Sequence, residues 1–133
     1  MKRRNGFVSN SSSSSFIVIV KDGFEFKDLK KALGIENAHP IVDGLCEQLW
    51  SLFIENDEYD DYEEFVEYLH NEYYVDREMC GVPMERIKEL IGNGYTVMMC
   101  KLSSENYENL MNLYIYENGI DIESEDIIVK TVW

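Results

Sequence analysis

Positive charge is scarce in this chain. Twelve Lys and Arg stand against 26 Asp and Glu, for a formal net charge of −14 over 133 residues. So acidic a surface repels nucleic acid and anionic lipid headgroups and suits basic partners. Histidine and cysteine are also few, at two and three. His39 and His70 make no His-Glu-x-x-His pair, and Cys46, Cys80 and Cys100 make no Cys-x-x-Cys pair, so the spacing of a zinc site is missing. Three widely separated cysteines suit reduced thiols in a cytosol better than a disulfide framework. Long apolar runs are missing too: Phe16 to Val20 stops after five residues, short of the ~20 of a membrane span and of the 7 to 15 of a secretory signal. The expectation is a cytoplasmic protein that binds neither membrane nor nucleic acid directly and carries no metal or cofactor.

Apolar residues make up 45% of the chain, and its 17 aromatics are ample for a core, so high charge does not imply disorder. The length fits one domain. The charge is uneven, however. Residues 1–33 hold seven Lys and Arg against three acids, leaving five against 23 for the rest. We therefore divide the chain into a basic, Ser-rich segment, 1–15, and one acidic domain, 16–133.

Phe16-Ile17-Val18-Ile19-Val20 is apolar at every position and rich in β-branched residues, the pattern of a strand covered on both faces. Phe26, Leu29 and Leu33 mark a short helix stopped by Gly34. Pro40 opens a second, whose broad stripe holds Ile41, Val42, Leu45, Cys46, Leu49, Trp50, Leu52 and Phe53. Tyr62, Phe65, Val66, Leu69 and Tyr73 then recur at helical spacing over 60–74. Their opposite face carries Asp60, Glu63, Glu64 and Glu67, including like-charge pairs four apart that cost a few tenths of a kcal/mol each. A helix from Met84 to Gly92 or Gly94 follows the break at Gly81-Val82-Pro83. The last third reads as a βαβ unit. Its strand over 95–102 leads to a helix capped near Ser103 or Ser104, with Tyr107, Leu110, Met111 and Tyr114 on one face, and then to a strand over 127–133. The fold expected is α/β: a single domain with a small sheet of about three strands (16–20, 95–102, 127–133) and several packed helices.

The chemical motifs are thin. Asp57 to Asp61 offers hard oxygen ligands but lacks the sixth-position Gly and twelfth-position Glu of a calcium loop. Gly92-Asn93-Gly94 precedes a strand, the wrong context for a phosphate loop. Cys100, near the expected strand end, and Ser103 and Ser104, at the expected helix start, are the nucleophiles that can be placed. The binding features are stronger. Residues 55–78 hold eleven acids and one base, Arg77, so rows of helical carboxylates can imitate a nucleic-acid backbone. Ser11, Ser12, Ser13, Ser14 and Ser15, behind Phe7 and Val8, read as a flexible tail, a docking element, or an anion or modification site.

From Arg4 to Phe16 the string Arg-Asn-Gly-Phe-Val-Ser-Asn-Ser-Ser-Ser-Ser-Ser-Phe resembles an N-terminal signature that opens many small proteins of bacteriophages and their bacterial hosts. The resemblance implies a phage or mobile-element setting and a selected serine tract, and it transfers no catalytic residue. The function expected is a non-catalytic acidic module that binds a protein partner through Asp60, Glu63, Glu64 and Glu67, with the N-terminal segment docking or being processed. The alternatives are a nucleic-acid-mimicking inhibitor of a host nucleic-acid-binding protein, a small enzyme using Cys100 or Ser103 and Ser104, and a virion component.

Overall fold

A computed structural model describes residues 13–35, 39–72, 77–103 and 109–131. Its centre is the apolar run. Strand β1 (Ser13–Val20) pairs antiparallel with β4 (Thr96–Ser103) on one side and with β6 (Ile127–Thr131) on the other. A short edge strand, β5 (Asp121–Glu123), joins β6, so the sheet order is β4-β1-β6-β5. Val18 lies between Met98 and Val129 in register, and the pleat sends alternate residues to opposite faces. Phe16, Val18, Met98, Cys100 and Val129 enter one core. Ile17, Ile19, Val97, Met99 and Ile128 enter the other. Antiparallel sheets often leave one face wet. Here both are covered, which is why β1 is apolar at every position from Phe16.

The first face is covered by α1 (Phe26–Ala32), α2 (Pro40–Ile54) and α5 (Leu110–Asn118), which bring Leu29, Leu49, Phe53 and Ile115 to it. The second is covered by α3 (Tyr62–Glu72), α4 (Met84–Gly92) and a hairpin of β2 (Glu78–Met79) with β3 (Val82–Pro83). Cys80, at φ 54°, and Gly81, at φ 82°, form the hairpin turn, both in the left-handed region that a two-residue turn demands. The product is a mixed α/β sandwich with helices on both sides of the sheet.

The structure moves several sequence-based boundaries. Among the described residues the main sheet has four strands where about three were expected, and a second, two-stranded sheet accompanies it. β5 escaped notice because it is three residues long and acidic at both ends; its Asp121 and Glu123 sit 3.7 and 3.3 Å from Lys130 of β6. The β4, α5, β6 order is that of the expected βαβ unit, but β1 lies between the two strands and β5 precedes the second. β1 starts at Ser13, so the division at 15/16 cuts through a strand. Ser13 of β1 pairs with Ser103, which keeps β4 extended where a helix cap was expected. Instead α5 is capped by Asn109, whose side chain accepts from the Asn112 N–H at 2.9 Å. The inward face shifts accordingly. Asn112, Ile115 and Tyr116 are buried, while Leu110 and Tyr114 are exposed. In α2 the broad stripe holds at Cys46, Leu49, Leu52 and Phe53, but Ile41 is exposed. Tyr73, Ser104, Tyr107, Val132 and Trp133 lie outside the described residues.

Candidate functional site

The acidic segment begins where α2 ends. Tyr59 exchanges two backbone hydrogen bonds with Val97 of β4, at 2.8 and 2.9 Å, so the chain is extended there. Asp61 Oδ1 then accepts the Glu63 N–H at 2.9 Å and starts α3. Asp60 consequently precedes the helix, so Asp60 and Glu64 are not a pair one turn apart within α3. Phe65 and Leu69 are fully buried against the sheet, with Tyr62 and Val66 packed around them. This anchoring turns Glu63, Glu64 and Glu67 outward, and they are exposed together with Asp57, Glu58, Asp60 and Asp61. None of these seven carboxylates takes part in an ion pair among the described residues; Arg86 pairs instead with Glu123 at 3.0 Å, and the Lys88 ammonium lies over the Tyr62 ring. Burial first, then the field of Asp57, Glu64 and Glu72, holds the Tyr59 phenol above its ordinary range. The four acidic site residues read from the sequence thus lie together on the surface. Ser13, Ser14 and Ser15 lie in β1, beside Ser103, Leu102 and Lys101. Phe7, Val8, Ser11 and Ser12 lie outside the described residues.

Cys100 does not stand at the strand end where the nucleophile reading expected it. Cys100 stands within β4, fully buried, with its side chain in the same core as Phe16, and the helix expected to polarise it begins only at Leu110. Burial pushes the Cys80 and Cys100 thiols up to about 12, far from the thiolate that reacts. Cys46 is also buried and its thiol raised by burial. Among the described residues no three His, Cys, Asp or Glu side chains are grouped to hold a metal ion, and no helix is long and apolar enough to cross a membrane.

One concave feature was invisible in the sequence. The rings of Phe24, Phe26, Trp50, Phe53 and Phe16 form a continuous chain at centroid separations of 5.9 to 6.3 Å. Beside it opens a groove of about 170 Å³, walled by Phe24, Trp50, Phe53 and Met98 and bordered by Asn56 and Glu58. In the sequence Trp50 reads only as part of the α2 stripe, and Phe24 follows the Gly23 turn, outside any periodic pattern. The sheet and α2 bring them together; sequence spacing carries no trace of it. No protein-family model, curated protein or solved structure matches this chain.

Proposed function

We propose that this protein is a non-catalytic binding module whose acidic surface around α3 engages a basic surface of another protein. The observation that carries the reading is the set of seven exposed carboxylates between Asp57 and Glu67, none ion-paired among the described residues. Like charges crowded on one face strain a fold slightly and contribute nothing to its core, so a cationic partner is what would lower their energy. In its sharper form the partner is a nucleic-acid-binding protein of a phage host, whose groove the carboxylates occupy in place of phosphates. Rows of acids suit that role because such grooves place Lys and Arg to neutralise a line of negative charges.

The test is capture of partners by the native chain and by a Glu63→Lys, Glu64→Lys, Glu67→Lys variant, read by mass spectrometry and followed by titration of the purified partner. Basic proteins should be captured by the native chain alone, with affinity falling steeply between ~50 and ~500 mM salt. Competition by DNA or RNA would support the mimicry form. Equal capture by both chains, or an affinity indifferent to salt, would end the proposal.

A further inference from the structure

The aromatic groove has a chemistry of its own, and one intramolecular contact states it. Outside the groove's lining, the Lys30 ammonium lies 5.8 Å from the centroid of Phe26 and 2.9 Å from Asp43 Oδ1. There the aromatic cluster already accepts an alkylammonium, with a ring to receive the cation and a carboxylate to neutralise it. The groove repeats the parts. Trp50, Phe24 and Phe53 supply ring surface, Met98 a polarizable thioether, and Glu58 the carboxylate, while no Lys or Arg is among the lining residues. Its volume of about 170 Å³ falls below the ~300–1,000 Å³ of pockets that hold whole small molecules, so it suits one side chain. A purely apolar occupant would leave Glu58 unused at the rim. An anion would meet Glu58.

We propose that the groove bordered by Trp50, Phe24 and Glu58 binds an alkylammonium group, with a lysine side chain of a protein partner as its occupant. The methylene stem lies along the Trp50 and Phe24 rings and over Met98, and the ammonium meets the Glu58 carboxylate. The lysine's belonging to a partner rests on the binding function proposed above; the groove's selectivity for the cation does not. Glu58 also belongs to the acidic run that continues into α3, so one basic segment can place a lysine in the groove and further cations along Glu63, Glu64 and Glu67.

The experiment follows the Trp50 indole N–H by NMR, assigned against a Trp133→Phe variant. The probes are n-butylammonium, the neutral 1-butanol, N-acetyl-lysine-methylamide and its ε-acetylated form. The expected result is a saturable Trp50 shift with butylammonium and with the lysine diamide, several-fold weaker binding of butanol and of the acetylated diamide, and loss of that difference in Glu58→Gln. Phe24→Leu should weaken the cations more than the alcohol. If butylammonium binds and the lysine diamide does not, the side-chain assignment is wrong. If cation and alcohol bind alike in the native chain, or if Glu58→Gln leaves the difference intact, the site is overturned. The triple lysine variant of α3 separates the two proposals. It should abolish capture of basic proteins while preserving the butylammonium titration, and loss of only one of these behaviours in the native chain condemns only the corresponding proposal.

Discussion

Replacing Glu67 by lysine should stabilise this fold even as it removes a carboxylate from the binding surface. Glu63 and Glu67 stand four residues apart on α3, both exposed, and neither is ion-paired among the described residues. A like-charge pair at this spacing costs about 0.2–0.5 kcal/mol, and a Glu followed four residues later by Lys gains about as much. The swing in Glu67→Lys is therefore about 0.4–1 kcal/mol, before any gain from Glu64 three residues away. In a domain of this size that is about 1–4 °C in Tm. Glu63→Lys removes the same repulsion but must do worse. Glu63 lies in the first turn of α3, where an acid gains about 0.3–1 kcal/mol from the helix dipole and a cation loses it, and Lys before Glu is the poorer order. Its net effect should lie near zero or below. Urea unfolding of both variants at low salt, repeated at ~1 M salt where screening reaches ~3 Å, reads the difference directly. The gap should favour Glu67→Lys and close as salt rises. If Glu63→Lys stabilises as much, or if the gap persists at high salt, the charges on this face are not coupled as described. A stabilised Glu67→Lys chain that no longer binds would mean that the acid is kept at that position at a cost to the fold.

Two further outcomes test the sheet. The thiols of Cys80 and Cys100, raised by burial from 9.0 to about 12, keep their protons in the folded state after the unfolded chain has released its own. Their contribution is therefore complete below pH 9 and lost as pH rises toward 12, with a slope of up to about 1.4 kcal/mol per pH unit for each thiol. Stability measured from pH 8 to 11 should fall less steeply in Cys100→Val than in the native chain; parallel curves would contradict the burial of that thiol. The serine strand is tested by proline. Successive N–H groups of a strand point to opposite neighbours, so either Ser14 or Ser15 directs its N–H toward β4. At least one of Ser14→Pro and Ser15→Pro should then lose a ladder bond, about 0.5–1.5 kcal/mol, with steric cost added. Two neutral variants in thermal unfolding would place the serines outside the sheet.

What could be read in advance was whatever packs on one side of a regular element. Five apolar residues from Phe16 announced a doubly covered strand, Pro40 marked the start of α2, and the spacing of Tyr62, Phe65, Val66 and Leu69 fixed the inward face of α3. The misreadings share a cause, for each was decided by a distant partner. The phase of α5 depends on Asn109, which donates to the Gln48 carbonyl at 3.0 Å while Gln48 Oε1 accepts the Leu110 N–H at 2.8 Å, so α2 supplies part of the cap. The groove needs Phe24, in the connection after β1, to meet Trp50 of α2. β5 sets its acids beside Lys130 of β6, a pairing that its own three residues do not announce.

The serines fall under the same rule. A tract of five beside an apolar strand looks like a linker because serine has no apolar side chain to bury, yet the ladder that Ser13, Ser14 and Ser15 make to β4 is formed by backbone groups and is indifferent to that. From Phe16 inward, both faces of β1 are covered and every side chain must be apolar. Ser15, where exposure first rises, needs only to continue the pairing, and a small polar residue does so without presenting an apolar surface to water. The abrupt change of composition at Phe16 therefore marks the edge of the covering helices and not the end of the strand.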